Sequence, residues 1–83
     1  MLTLNPIGSN MTELTIGGTT VLFSYKTPVA ARINGTVSVT EKRWSKTTSR
    51  HIPKWLKQRA ISTSNILTEP QEFFDRLIQR MID

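Results

Sequence analysis

Cysteine is absent from this chain of 83 residues, which excludes disulfide frameworks, thiolate zinc sites and thiol catalysis. Aromatic anchors are scarce: two Trp, three Phe and one Tyr. With 37% hydrophobic residues, they allow one small core and no deep enzyme cleft. Histidine occurs once, at His51, so a Ser–His–acid device would need that one ring and a carboxylate from afar. HExxH, paired metal carboxylates, the Walker glycine loop and the Rossmann fingerprint are all missing. The composition thus predicts a protein that is not an enzyme and carries no cofactor or metal. Long apolar runs are missing too, and Met1 to Asn10 has neither a basic n-region nor an apolar h-region, so no signal peptide or membrane span is read there.

Acids are also few, six against 11 Lys and Arg, for a formal charge of +5. The excess is local. Residues Glu41 to Arg59 hold seven basic residues and one acid, a net +6, whereas the rest of the chain is close to neutral. A charge concentrated in one segment points to a local anionic partner.

Residues 1–11 read as a flexible leader and residues 12–83 as a single small α+β domain. Period-two alternation begins at Thr12, with Leu14 and Ile16 on one face, then Gly17-Gly18, then Val21, Phe23 and Tyr25. A third run places Val29, Ala31 and Ile33 together. Asn34-Gly35 joins it to Thr36–Thr40, a strong hairpin signal because a type I′ turn needs positive φ at both central residues. Pro28 cannot donate to a ladder and is expected at the start of the third strand or in the turn before it. Pro70 to Asp83 alternates with helical period, with Phe73, Phe74, Leu77, Ile78, Met81 and Ile82 on one side, and Thr68 with Gln71 fits a capping box. Ala60 to Leu67 reads as a linker. The expected architecture is a three- to four-stranded antiparallel meander followed by two helices packed on one face, β-β-β-β-α-α.

Between meander and last helix, about 100° per residue sets Ile52, Trp55 and Leu56 on one side, with Lys46, Arg50, Lys54 and Lys57 roughly opposite. Pro53 fits without loss only within the first helical turn, which predicts a regular start near Arg50 to Ile52 or a distorted turn if the helix begins earlier. Lys46, Arg50 and His51 then lie at the helix's positive end, where a like charge costs about 0.3–1 kcal/mol and an anion removes the cost. Hydroxyls at Ser45, Thr47, Thr48 and Ser49 add donors of the kind found in phosphate sites. The candidate nucleic-acid or phosphate-binding set is Arg43, Lys46, Thr47, Thr48, Ser49, Arg50, His51, Lys54 and Lys57. Plainer roles stand beside this one: Ser and Thr before a helix commonly serve as caps, a basic face is commonly just solvated, and single histidines and tryptophans are commonly packing residues. Trp44, beside Arg43, is the tryptophan placed for base stacking.

The stretch Tyr25-Lys26-Thr27-Pro28-Val29-Ala30, followed by Thr40, Trp44-Ser45 and Thr47-Thr48-Ser49-Arg50-His51-Ile52, resembles a family of small uncharacterised proteins of phages, prophages and plasmids. The resemblance covers about Val21 to Leu56 and leaves the last helix outside. It implies a mobile-element origin and no mechanism. An Asn would be more usual there in place of Pro53, which implies an altered first turn in this chain.

Two functions follow as expectations. One is an accessory or regulatory protein that binds nucleic acid through phosphate contacts with weak sequence preference. The other is a phage-encoded inhibitor of a host defence complex, such as an anti-CRISPR protein, acting by protein–protein binding. A third, narrower option is capture of a nucleotide or other phosphate ligand at the Thr47–His51 helix start. Either implies the host cytoplasm and no membrane, and a core this small makes a homodimer reasonable.

Overall fold

The computed structural model describes residues 2–8, 10–42, 46–59 and 66–82, with the side chains of Leu2, residues 46–49 and Ile82 left aside. In chain order the elements are β1 (Leu2–Gly8), β2 (Met11–Ile16), β3 (Thr19–Ser24), β4 (Thr27–Ile33), β5 (Thr36–Thr40), α1 (Lys46–Gln58), β6 (Ile66–Glu69) and α2 (Gln71–Ile82). They build one six-stranded sheet in the order β1-β2-β3-β4-β5-β6. The first five strands form an antiparallel meander, and β6 lies parallel to β5, so the chain crosses over through α1 to reach it.

The turns explain the meander. Asn34 and Gly35 take φ of 50° and 85°, as a type I′ turn requires, and Ile33 faces Thr36 across them. Gly17, at φ 59°, closes β2 onto β3 with Ile16 opposite Thr19. Tyr25 and Lys26 close β3 onto β4 with Ser24 opposite Thr27, and Pro28 is the second residue of β4. Between the pairs Leu22–Ala30 and Phe23–Pro28 the register shifts, leaving Val29 as the extra residue of a bulge.

That bulge and the composition of the central strands settle where the helices go. Val21 and Ala31 pack with Phe74 of α2, joined by Phe23, Ile33, Phe73, Leu77, Ile78 and Met81. Their chain neighbours Leu22 and Ala30, with Val29, pack instead with Met11, Val37, Trp55 and Leu56. Successive strand residues point to opposite faces, so α1 covers one face of the sheet and α2 the other. The expectation of two helices on one face is therefore corrected. The strands β3 and β4 carry continuous apolar runs, Val21-Leu22-Phe23 and Val29-Ala30-Ala31, and both faces need cover.

Three further expectations change. The sheet has six strands rather than three to four. Residues 2–8, read as part of a leader, pair with β2 as an edge strand. Ile66–Glu69, read partly as linker, forms β6, and the N–H of Glu41, just past the end of β5, donates to the Glu69 carbonyl at 2.9 Å.

Helix α1 begins at Lys46 and holds Pro53 at its eighth position, so it runs through the proline rather than starting at it. The missing N–H removes one helical hydrogen bond. Burial of Trp55 and Leu56, with Ile52 partly buried, offsets that loss. Helix α2 starts without the expected capping box. Thr68 lies in β6, and the Phe73 N–H bonds the Pro70 carbonyl at 3.0 Å. Gln71 reaches the sheet instead, accepting from the Thr40 hydroxyl at 2.9 Å and donating to the Pro28 carbonyl at 2.7 Å.

Candidate functional site

Helix α1 runs back along β3. Its early residue His51 meets Ser24 at the end of that strand, while Arg59 just beyond its end joins Thr20, near the strand's start, around one cavity. This direction follows from three inward contacts spaced four residues apart, His51, Trp55 and Arg59, one turn after another.

The inner side is polar where it touches Glu13. That carboxylate is only 2% exposed, and it accepts from the Trp55 indole N–H at 2.6 Å and from Arg59 Nε at 2.7 Å, with Arg59 Nη2 bonding its second oxygen. The carboxylate hydrogen bond raises the Arg59 pKa above its ordinary value, against a smaller opposing effect of burial. Capped on both oxygens, Glu13 is a structural anchor for α1. Beside it lies a cavity of about 190 Å³ lined also by Thr15, Thr20 and Arg32.

At the other end, Ser24 Oγ and His51 Nδ1 are 2.6 Å apart, and both residues are buried. Burial lowers the His51 pKa, and the positive charge of Lys54 lowers it further. Its position in the sequence groups His51 with the candidate phosphate ligands. The structure turns it inward, away from the cationic surface.

Outward, Arg50, Lys54 and Lys57 are exposed at helical spacings of four and three, which aligns them along one side of α1. No Asp or Glu occurs in the helix, and among the described residues no ion pair involves any of the three. Helix α2 is built differently: Glu72 precedes Arg76 by one turn, and the two approach to 3.5 Å. Arg43, Trp44 and Ser45 lie outside the described residues. Lys46, Thr47, Thr48 and Ser49 form the first turn of α1, with their side chains outside the description. The structure thus brings Arg50, Lys54 and Lys57 together as one surface and separates His51 from it.

The sequence expects Tyr25 and Lys26 in a turn, with extension of the basic surface as a lesser alternative, and a turn is where they lie. Tyr25 and Lys26, at the tip of the β3–β4 hairpin, are exposed beside the start of α1, and the Tyr25 ring lies 5.9 Å from that of His51. Glu13 was missed because its partners lie 42 and 46 residues away. Among the described residues no cluster of His and carboxylates could hold a metal, and no helix is long and apolar enough to cross a membrane.

Residues 2–76 match the model of a family of unknown function, DUF8033. No curated protein and no solved structure matches the chain.

Proposed function

The chain belongs to the DUF8033 family, to which no function is assigned, and we propose that it is a nucleic-acid-binding accessory protein that lays the outer side of α1 against a phosphate backbone. The observation that carries this reading is the stripe of Arg50, Lys54 and Lys57. These cations stand exposed on a helix without a single acid, in a domain whose other helix carries acids as well and pairs Glu72 with Arg76. The stripe spans about 10 Å of helix axis, enough to meet successive phosphates of one strand. Such contacts position and hold the partner while reading little sequence.

The same geometry supports binding rather than catalysis. A serine nucleophile needs an open hydroxyl, and Ser24 is buried against His51. The mobile-element origin implied by the Tyr25–Ile52 resemblance belongs to this proposal, as a setting in which a small nucleic-acid binder has a use.

Binding to short duplex and single-stranded oligonucleotides at low salt, followed by fluorescence anisotropy, tests the reading. The expected result is micromolar or tighter binding that the paired substitution Arg50→Ala and Lys54→Ala weakens at least about tenfold. Absence of binding at low salt overturns it. So does unchanged binding by the double variant. A partner protein that co-purifies after nuclease treatment, with no oligonucleotide binding, would favour inhibition of a host complex instead.

A further inference from the structure

Tyr25 adopts φ 58°, the left-handed region that suits Gly or Asn and costs a bulky side chain. Its one described ring contact, with His51, leaves half of the residue exposed. Tyr25 is 50% exposed, and among the described residues the other large exposed apolar side chains, Leu4 and Leu67, sit on the edge strands β1 and β6. Backbone strain retained in spite of an easier choice concentrates at functional positions.

The ring is also held in place. Tyr25 N–H donates to the Asn10 carbonyl at 2.7 Å, which ties the hairpin tip to the turn before β2. Its ring rests against His51 at 5.9 Å and 44°, and His51 is itself fixed by Ser24 at 2.6 Å. Cations are near in the chain: Lys26 follows Tyr25, while Arg50 directly precedes, and Lys54 follows by three, the His51 on which the ring rests. The Lys54 ammonium lies 3.7 Å from where a Cβ on Gly8 would stand, so it leans toward the β1–β2 end of the sheet, where Asn10 also lies.

We propose that Tyr25 is a stacking platform for an unpaired base, making single-stranded nucleic acid the substrate class of the cationic face. This rests on the function proposed above and narrows it. An aromatic side chain interleaved with cations is how sequence-tolerant single-strand binders combine base stacking with backbone contacts. Bases within a duplex are already stacked on one another and offer no free face to Tyr25. The backbone bond to Asn10 and the His51 ring beside it place an aromatic face in position before the strand arrives, which lowers the ordering cost of binding.

The test uses the full chain with a short labelled oligothymidylate, an abasic strand of equal length and a short duplex, all at low salt. Wild type is expected to prefer the oligothymidylate. Tyr25→Asn, which suits the left-handed backbone, and Tyr25→Leu, which keeps the bulk without the π face, are each expected to lose about 5- to 150-fold on that strand. Both should change little on the abasic strand and the duplex, and Tyr25→Phe should bind like wild type. The dependence on salt should stay unchanged in all three variants, because no phosphate contact is removed. Thermal melting of each variant establishes that it is folded, and Tyr25→Leu carries the test should Tyr25→Asn melt early. If Tyr25→Leu binds oligothymidylate within about twofold of wild type while Arg50→Ala with Lys54→Ala abolishes binding, the platform is refuted and the cationic face stands. Equal wild-type affinity for the abasic strand and oligothymidylate refutes the platform in the same way. Failure of wild type to bind any of the three strands refutes both.

Discussion

The buried carboxylate of Glu13 on β2 and the indole N–H of Trp55 on α1 meet at 2.6 Å, joining residues 42 positions apart. Arg59 closes over the same carboxylate one helical turn later, its side chain 43% exposed. The relationship fixes both the position and the axial rotation of α1. With Trp55 and Arg59 held inward, Arg50, Lys54 and Lys57 must face out.

Removing this carboxylate should loosen the helix. Glu13→Ala leaves a buried indole N–H without an acceptor and Arg59 without its partner, and should cost about 2–4 kcal/mol. The cost falls below that of a fully buried pair because the Arg59 guanidinium can turn to water. Glu13→Gln keeps an acceptor for Trp55 and should cost less. Urea denaturation followed by tryptophan fluorescence checks the order; a Glu13→Ala midpoint equal to that of wild type would contradict the anchor.

His51 should make stability fall in mild acid. Its pKa in the folded state is depressed by burial and by Lys54, so below its ordinary value near 6.5 the unfolded chain takes up the proton more readily than the fold does. The contribution is complete above pH 6.5 and is lost as pH falls through the depressed value. The Ser24 bond does not set the sign, since a serine oxygen can accept from a protonated ring as well as donate to a neutral one. Melting temperatures at pH 7.5 and 5.5 should show a drop in wild type that is smaller in His51→Gln. Equal drops would assign the effect to the carboxylates.

Much of the meander was legible because hairpin chemistry is local. Asn34-Gly35 specifies its own turn, and the alternation on either side of it predicts the faces. What escaped was non-local. The strand β6 has four residues and pairs in parallel across a helix, so no turn residue announces it. The second covered face was present in Val21-Leu22-Phe23, but an alternation template reads only every other residue of such a run. For the candidate site, spacing along one helix was enough to group Arg50, Lys54 and Lys57 and to send Trp55 inward. His51 went astray because its partner Ser24 is 27 residues away, on a strand whose register the sequence does not print.

Pro53 should be replaceable with a gain in stability. It is exposed and stands at the eighth position of a thirteen-residue helix, where its ring crowds the preceding turn and its nitrogen has no proton to donate. Pro53→Ala restores the hydrogen bond and should stabilise by about 1–2 kcal/mol, less than the full interior penalty because proline also stiffens the unfolded chain. Chemical denaturation measures it. A loss of stability would mean that the backbone shape proline imposes at this position is needed to seat Trp55 and Leu56 together.

The placement of the helices on opposite faces supplies a control for the cationic stripe. Arg50, Lys54 and Lys57 on α1 and Arg76 and Arg80 on α2 are all exposed, so removing Arg50 and Lys54 or removing Arg76 and Arg80 lowers the net charge by the same two units. If attraction to nucleic acid comes from total charge, the two double-alanine variants will weaken binding alike. If phosphates sit against α1, each contacting cation releases about one counterion, and the slope of log affinity against log salt should fall by about 2 in the α1 variant alone. The α2 variant loses the Glu72–Arg76 pair, whose exposed geometry at 3.5 Å contributes little, so its folding should be intact and its slope unchanged. Matching slopes in the two variants would remove α1 from the interface, whatever the affinity of wild type.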